Sequence, residues 1–477
     1  MVSQSGLFAG VFSRGGVDTS DGAWLQAMLD TEAALTRALE RAGLAGRGAG
    51  EAVTALAQAA AFDAAEIGRL AAQTGNPVPA LVRALTSRVP GEAAAAVHMG
   101  ATSQDVMDTA AMLLARRALG QVAGDLSAAA DATARLAERH RDTIMIGRTL
   151  LQQAVPVTFG LVAAGWLAGL EAARAQITEV AENGLAVQYG GAAGTLAAMG
   201  DVGPQVVALL AEELGLAAPL LPWHTDRQRV LRVAAACAAA AAILAKIARD
   251  VTLLAQSEVG EVAEGNPVAV AEVHPAEVAE ANPAQPDGRD GGGRGGSSAM
   301  PHKHNPVGAI AVLGCTKQVP GLVASLMAAA EQEHQRAAGA WHAEWEPYGA
   351  VLRLTGSAAC WAAEMLAGLQ VDQARMRANL DAARGLPMAE AVASLLAPAL
   401  GSVAAHDLIA EAAAAAAARG QSLRAALLES EQVAGRLEAA GISPGQVEAA
   451  LDPANYLGAA GHFVDAALAA HRKRAEG

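Results

Sequence analysis

The densest run of polar side chains in this sequence directly follows its most glycine-rich stretch. Residues 295–306 read GGSSAMPHKHNP, and they bring together two hydroxyls, a cation and an amide at Ser297, Ser298, Lys303 and Asn305. Glycines before the serines let backbone N–H groups approach a ligand closely. A serine hydroxyl is a weak base, so its alkoxide must be stabilised by N–H groups and a nearby cation. The segment predicts an acid–base serine, with a glycine linker before a proline-capped helix as the alternative.

The spacing in this loop argues against other chemistries. A phosphate-binding loop needs G-x-x-x-x-G-K-[ST] after a strand, and a dinucleotide-binding turn likewise needs a preceding strand. A nucleophilic serine is expected in G-x-S-x-G, a pattern that this loop lacks. His302 and His304 have no third ligand at a suitable spacing, so no metal site is predicted.

Three further polar clusters interrupt an otherwise apolar chain. They are HMGATSQDVMDT at 98–109, GRTLLQQ at 147–153 and EHQRAAGAWHAEWE at 333–346. The formal net charge of −14 would repel a nucleic acid or an anionic membrane, so neither is an expected partner. A small anionic substrate remains possible, but it needs a local basic pocket.

Composition predicts long helices as the elements that position these clusters. Hydrophobic residues make up 53% of the chain but aromatic residues only 3%, so the apolar surface is mostly Ala, Leu and Val. Alanine is the best helix former, and it lets helices approach closely. The fold class predicted is all-α, with helices over 21–42, 106–119 and 121–140 and another beginning at Ser443-Pro444.

The clearest helix is predicted over 228–259, where apolar residues step by three and four. At 1.5 Å per residue this helix would be roughly 45 Å long, and we expect a bundle built between subunits to bury its apolar seam. The seam consists of Val230, Val233, Cys237, Ala240, Leu244, Ile247, Val251 and Leu254.

The uncharged stretch from Thr149 to Leu170 is long enough to cross a membrane. Its glutamines, Pro156 and many small residues favour a buried bundle helix instead. The N-terminal residues lack the pattern of a signal peptide, and the three cysteines are far apart, so neither a disulfide framework nor a zinc site is expected. We therefore expect reduced thiols and a cytoplasmic protein.

Taken together, the motifs resemble those of the fumarase/aspartase superfamily. GSSAMPHKHNP is similar to its G-S-S-x-M-P-x-K-x-N-P loop, and HMGATSQDVMDT is similar to its H-x-G-x-T-S-x-D segment. Within the superfamily, GRTLLQQAVPVTFG, QYGGAAGTLAAMGD, PWHTDRQR, GAWHAEWE and the terminal LDPANYLGAAGHFVDAAL look most like the bacterial carboxymuconate cycloisomerases.

The resemblance implies a homotetramer of three-domain, all-α subunits with active sites shared between subunits, and no cofactor or metal. The N-terminal domain would be 1–112, and the C-terminal domain would be 367–477. The central domain, 113–366, would carry the long bundle and the serine loop at about 260–306. Residues of about 266–290, rich in Pro and Gly, look inserted ahead of the serine.

The resemblance also assigns roles to residues. The catalytic set is Ser297, His98, Lys303 and Asn305. Ser297 matches the catalytic serine, with Ser298 as the near alternative, Lys303 and Asn305 match the pair that stabilises a carboxylate, and His98 matches the histidine of the first motif. The substrate-binding set is Thr102, Ser103, Gln104, Arg148, Thr149, Gln152, Ser298, Met300 and Arg336. The alternatives are a core histidine for His98, a surface ion pair for Arg148, and structural packing for Arg336, His334, Trp341 and His342.

The implied chemistry is an addition or elimination across a carbon–carbon bond next to a carboxylate of a small di- or tricarboxylate. The intermediate carries extra negative charge on that carboxylate, so cations and N–H donors around it are the central requirement. In the cycloisomerases an internal carboxylate attacks the double bond and closes a lactone. The alternative is a lyase that releases fumarate from a substituted succinate, for example nitrosuccinate.

Two positions depart from the expected patterns. Leu150 stands where adenylosuccinate and argininosuccinate lyases carry a histidine, which argues against those two reactions. Gln335 stands where the nearest relatives are expected to have an acidic residue.

Overall fold

Helices make up most of the structure, a computed structural model that describes residues 6–265, 295–296, 300 and 303–475. The all-α class predicted from composition is confirmed. In the first half of the chain the α-helices are α1 (Ala9–Phe12), α2 (Asp21–Arg41), α3 (Ala49–Leu56), α4 (Ala64–Thr74), α5 (Val78–Thr86), α6 (Ser103–Arg139), α7 (Phe159–Glu179), α8 (Gly203–Leu214) and α9 (Gln228–Leu254).

The second half is also helical. Its α-helices are α10 (Val307–Thr316), α11 (Val319–Ala329), α12 (Ala340–Ala343), α13 (Trp345–Ala367), α14 (Gln373–Ala382), α15 (Ala389–Leu400), α16 (Ser402–Arg419), α17 (Leu423–Leu428), α18 (Glu431–Ala439), α19 (Pro444–Leu451) and α20 (Ala460–Ala475). Within the residues that the structure describes, four short strands form two antiparallel pairs, β1 (Ile144–Thr149) with β2 (Gln152–Thr158), and β3 (Val262–Glu264) with β4 (Leu369–Val371).

Side-chain hydrogen bonds at their N-termini explain where two of the predicted helices begin. The Ser20 side chain accepts a hydrogen bond from the backbone N–H of Ala23 and so caps α2. The Ser443 side chain caps α19 in the same way, and Gln446 completes a reciprocal capping box ahead of the first turn, which contains Pro444. Both helices begin at the predicted positions.

The helices predicted over 106–119 and 121–140 are one continuous helix, α6, of 37 residues and about 55 Å. The chain stays helical through Gly120, because burial of Leu119 and Val122 on either side of it outweighs the weak helix propensity of glycine. The predicted domain boundary at residue 112 falls inside this helix.

Helix α9 confirms the predicted seam and corrects where the helix ends. Every member of the seam is buried within the single chain, so no neighbouring subunit is needed to cover it, and the bundle built between subunits stays a prediction. The helix ends at Leu254 rather than Val259, and Gly260 takes a left-handed φ of 61° shortly afterwards.

The prediction of one helix over residues 149–170 was wrong for its first part. Residues up to Thr158 belong to the β1–β2 hairpin, and the helix begins at Phe159. Pro156 cannot donate a helical hydrogen bond, while the β-branched Val155, Val157 and Thr158 suit a strand. These residues override the helical tendency of the surrounding alanines.

The chain forms two compact units. One contains residues 1–128, 172–248 and 310–363, and the other contains 129–171, 249–309 and 364–477. The first unit has a core of apolar residues centred on α2, and the second has a core built from α15 to α19. The three-domain division implied by the resemblance stays a prediction.

The cysteines are free thiols, as the sequence predicted. Burial raises the pKa of the Cys237 thiol to about 12, so this group stays protonated at neutral pH. By length and apolar composition two stretches of the described chain could cross a membrane, Gln228–Leu254 and Val307–Ala329. The core helix of a globular protein meets the same criteria of length and apolar composition.

The seam of α9 gives a stability prediction. Leu244 is fully buried, so Leu244→Ala should lower the free energy of unfolding by about 2–5 kcal/mol through lost burial and a residual cavity. Ala242 is exposed on the same helix, and Ala242→Ser should change the free energy of unfolding by no more than about 0.5 kcal/mol. Thermal and urea unfolding of both variants measure the difference, and equal losses would contradict the assignment of Leu244 to the core.

Candidate active site

The first unit carries the 98–105 motif as a tight turn that leads into α6. His98 and Gly100 both have left-handed φ angles, of 60° and 71°. A Cβ at position 100 would lie only 2.6 Å from the Tyr189 Oη, so glycine is required there. Thr102 and the half-buried Ser103 follow at the N-terminus of the helix. The local fold therefore fixes the backbone positions from which the polar side chains of this motif extend.

A buried glutamate on α2 holds His98. The ring Nδ1 of His98 lies 2.6 Å from Glu32 Oε1, and the backbone N–H of His98 donates to Glu32 Oε2 at 2.9 Å. Burial acts to lower the pKa of His98, but the hydrogen bond and charge of Glu32, helped by Asp105, outweigh it and raise that pKa. The alternative of an inert core histidine fits poorly, because the His98 side chain is 22% exposed.

Asp105 joins the first motif to the QYGG segment. One of its oxygens accepts from the backbone N–H of Gly190 and lies 2.7 Å from His224 Nε2. The other accepts from the backbone N–H groups of Thr102 and Gly191, both at 2.9 Å. A carboxylate with this many donors is stable in a buried position, and it fixes the backbone on which Thr102 stands.

Beneath this turn lies a buried charge network. Arg227 makes paired hydrogen bonds to Asp108 at 2.8 and 2.9 Å and contacts Glu344 at 2.7 Å. Trp341 Nε1 donates to Asp108 at 3.1 Å, so the structure favours the packing interpretation of that tryptophan. Burial raises the pKa of Glu344, although the Arg227 guanidinium opposes this.

Gln104 belongs to the same network. Its side chain is 1% exposed, and its amide nitrogen donates to Asp108 at 3.1 Å and to the His224 carbonyl at 2.8 Å. Its amide oxygen has no hydrogen-bond partner among the described residues. In the isolated chain Gln104 supports the turn from below, and its substrate-binding role stays a prediction.

The fourth motif meets the first at Arg336. Its guanidinium donates to the Thr102 hydroxyl, and it lies 5.9 Å from the Trp341 ring centre. Two predicted substrate-binding side chains, one cationic and one hydroxyl, are thereby brought together within the first unit. His334 and His342 are both exposed, and so is Gln335.

The second unit carries the other half of the predicted site. Arg148, on β1, pairs both guanidinium nitrogens with Glu261, at 2.7 and 2.8 Å. Glu261 is fully buried and also accepts from the Asn379 amide at 2.7 Å. Arg148 is therefore part of a built ion pair with a buried partner, rather than a surface pair.

The β1–β2 hairpin ends in an unusual two-residue turn. Leu150 and Leu151 both have positive φ angles, 51° and 63°, and they are 96% and 73% exposed. A left-handed backbone costs a residue with a Cβ about 1–2 kcal/mol. The flanking pair Thr149 and Gln152, both predicted to bind substrate, face each other across the hairpin and are exposed.

The serine loop is closed at its base by backbone contacts. The Gly295 carbonyl accepts from the backbone N–H of Asn305 at 2.9 Å and from its side-chain amide at 3.1 Å. The Lys303 and Met300 side chains are exposed. Ser297, Ser298, His302 and the predicted insertion at 266–290 lie outside the described residues.

Glu264 positions the helix that follows this loop. Its two carboxylate oxygens accept from the backbone N–H groups of Gly308 and Ala309, at 2.8 and 2.7 Å. These N–H groups belong to the first turn of α10, where a carboxylate is favoured by the helix dipole. No group of three or more His, Cys, Asp or Glu suited to a metal occurs in the part of the chain that the structure describes.

Sequence reasoning missed the carboxylates that hold the site residues. Asp105 stood inside a quoted motif without a role, and Glu32 lies on α2 between the apolar Met28, Leu29, Ala33 and Leu35. An acidic residue on the core-facing side of an amphipathic helix is a usable signal, because it must be paired when buried. The partner of Glu261 had no such local signal, since it is 113 residues away.

The fold and motifs define the class of protein. A sequence profile described as lyase matches residues 17–270, and one described as adenylosuccinate lyase C-terminus matches 385–467. The chain belongs to the lyase family, within the fumarase/aspartase superfamily.

Individual relatives are similar over nearly the whole chain. A 3-carboxy-cis,cis-muconate cycloisomerase of Bradyrhizobium diazoefficiens is 44% identical, with 94% of each chain covered. A nitrosuccinate lyase of Streptomyces davaonensis is also 44% identical, with 98% of this chain and 95% of the relative covered. The crystal structure of the 3-carboxy-cis,cis-muconate lactonizing enzyme of Pseudomonas putida has a TM-score of 0.85 at 39% identity, covering 98% of this chain and 99% of the other.

The hairpin turn gives a prediction about backbone strain. Replacing Leu150 and Leu151 together by Asn and Gly, which suit two successive positive φ angles, should raise the free energy of unfolding by about 1 kcal/mol. Little burial is lost, since both leucines are exposed. Thermal unfolding of the double variant against the parent protein measures the gain.

A matched control is available in Leu220 and Leu221, which are 96% and 72% exposed but have no positive φ. The same Asn-Gly replacement there should bring no gain. If both replacements raised the free energy of unfolding equally, the cause would be the loss of exposed leucine and not the release of backbone strain.

Proposed function

We propose that this chain is a 3-carboxy-cis,cis-muconate cycloisomerase, which closes 4-carboxymuconolactone in protocatechuate degradation. The observation that carries the proposal is the full-length similarity to proteins of that name, at 43–44% identity in Bradyrhizobium diazoefficiens and Pseudomonas aeruginosa. The Pseudomonas putida lactonizing enzyme has the same fold over nearly the whole chain, which supports the proposal.

The proposed reaction is an intramolecular addition. A carboxylate oxygen of the muconate forms a C–O bond to one carbon of a double bond, and the π electrons move to the neighbouring carbon and its carboxylate. The Ser297 hydroxyl then gives its proton to that carbon, which yields the lactone. Lys303 and Asn305 stabilise the doubly charged intermediate, because only interactions stronger in that state than in the substrate accelerate the step.

The first unit supplies groups suited to the remaining carboxylates of the substrate. His98 and Thr102 offer an imidazole and a hydroxyl on one preformed turn, and Arg336 of the fourth motif brings a guanidinium into contact with Thr102. We assign these groups to substrate binding, together with Ser103, Met300 and the exposed hairpin residues Thr149 and Gln152. The chemistry proposed uses no cofactor or metal.

Leu150 supports a reaction without strong protonation of a leaving group. A leucine at the hairpin tip cannot donate a proton, and a carboxylate needs little help of that kind. The same holds for nitrite, so elimination from nitrosuccinate is the second candidate, and the relative of that name at 44% identity favours it specifically. There the Ser297 alkoxide would take a proton from the substrate, and nitrite would leave with the C–N electrons to give fumarate.

We also propose that the enzyme is a cytoplasmic homotetramer whose active sites combine motifs from different chains. The support is the resemblance of the motifs and the length of the superfamily match. The separation of the predicted residues into two groups, on different units of one chain, is compatible with this assembly.

Substrate assays separate the two reactions. With 3-carboxymuconate the purified protein should consume the diene absorbance and form a lactone, while nitrosuccinate should give little fumarate or nitrite. Ser297→Ala should lower kcat by about 100-fold or more, which is the range for loss of an acid–base group. Ser298→Ala should retain most of the parent kcat. Turnover of nitrosuccinate alone would establish the lyase instead, and an active Ser297→Ala variant would remove that serine from the mechanism.

Mixing inactive variants tests shared sites. His98→Asn and Ser297→Ala chains are each expected to be nearly inactive, yet co-assembled tetramers should regain up to about a quarter of the parent activity. Each restored site would then take an intact His98 from one chain and an intact Ser297 from another. Light scattering gives the number of chains, and no recovery in verified mixed tetramers would mean that each site uses both residues from one chain.

A further inference from the structure

Glu32 is an unusual residue for its place on α2. It lies in a helix whose neighbouring buried residues are Met28, Leu29, Ala33 and Leu35, and its side chain is fully buried. A carboxylate in such a core is stable only when its oxygens are paired. Both of its oxygens go to the same residue, His98, one to the ring and one to the backbone.

This double contact fixes His98 in position and in tautomer. The backbone contact supports a left-handed φ of 60°, a conformation uncommon for residues other than glycine. The ring contact at 2.6 Å places a proton on Nδ1, because a buried carboxylate accepts but does not donate. The Nε2 of the half-buried ring is then the atom left for a substrate.

Two carboxylates act on the His98 ring. Glu32 faces it from α2, and Asp105 acts on it from α6. Tyr189, which donates to the Met99 carbonyl, stays neutral because burial raises the pKa of its hydroxyl. The two carboxylates favour the doubly protonated imidazolium, a form in which Nε2 is an N–H donor rather than an acceptor.

We propose that Glu32 is a positioning residue that holds the His98 ring with Nδ1 protonated, so that Nε2–H binds a carboxylate of the substrate. Glu32 acts only through His98, since its own side chain has no exposure to solvent. The role of His98 as a substrate-binding group rests on the proposed function. The charge and orientation that Glu32 gives to the His98 ring do not depend on the proposed function.

The direction of the pH dependence follows from this arrangement. The binding form of His98 is the protonated one, so kcat/KM should fall as pH rises through the pKa of His98. Because that pKa is raised in the folded protein, the fall lies above the range of an ordinary histidine. The stability contributed by the Glu32–His98 pair is likewise present at low pH and is lost as pH rises through the same pKa.

The test is Glu32→Gln in the full-length protein. Glutamine has the same shape but no charge, so kcat/KM on 3-carboxymuconate at neutral pH should fall by about tenfold or more. The alkaline fall in the pH profile should also move to lower pH. Histidine NMR, with His98→Asn to assign the signal, should show the His98 titration moving in the same direction.

Glu40 provides the matched control on the same helix. Its carboxylate oxygens also accept two backbone N–H bonds, from Gly48 at 2.7 Å and from Gly50 at 2.8 Å, but no histidine is involved. Glu40→Gln should lower thermal stability without moving the pH profile or the His98 signal. A shift of equal size in both variants would show that general destabilisation, not positioning, causes the effect.

A double variant completes the test. If Glu32 acts through His98, Glu32→Gln should cause no further loss of kcat/KM in a His98→Asn background, where asparagine accepts the positive φ. Additive losses, or an unchanged pH profile in an active Glu32→Gln enzyme, would overturn the proposal. If the parent protein does not act on 3-carboxymuconate, the proposed function fails, whereas the NMR titration still decides whether Glu32 sets the charge of His98.

Discussion

The constraint on which this structure most depends is the cost of burying charge in a core made largely of alanine, leucine and valine. A buried carboxylate there is stable only with several donors around it. Asp105 meets this requirement with three backbone N–H groups and His224, and Glu261 meets it with Arg148 and Asn379. Apart from Asn379, these donors lie in segments that carry a site motif, so the contacts that stabilise the buried acid also fix the position of the motif.

The same logic separates the two halves of the candidate site. In the first unit the acids hold backbone and ring groups, and the half-buried Thr102 and Arg336 contact each other. In the second unit the acid holds a cation directly, and Glu264 holds the first turn of α10 below the serine loop.

Much of the fold could be predicted because its signals are local. An apolar helix side, a heptad seam and a capping serine before a proline are read from neighbouring letters, and they placed α2, α9 and the start of α19. The β1–β2 hairpin was missed because strand-forming residues there lie among alanines and glycines. Helix α6 was predicted as two helices, because the local sequence does not show that both stretches belong to one buried, continuous helix.

The candidate site was predictable in part for the same reason. The motif residues stand close together in sequence, and the fold places Thr102 against Arg336 although they are 234 residues apart. Glu32, Glu261 and His224 could not be assigned roles, because their partners are distant in the chain and no local pattern links them. The protonation preference of His98 likewise depends on Glu32, which is 66 residues away.

The exposed tip of the β1–β2 hairpin has a consequence for how this scaffold can change its substrate. Leu150 and Leu151 contribute almost no burial, so replacing them by other side chains that tolerate a positive φ would cost the fold little. They also lie between Thr149 and Gln152, the paired residues assigned to the substrate. The tip is therefore a place where selectivity can evolve, or be engineered, without first acquiring compensating changes in the core.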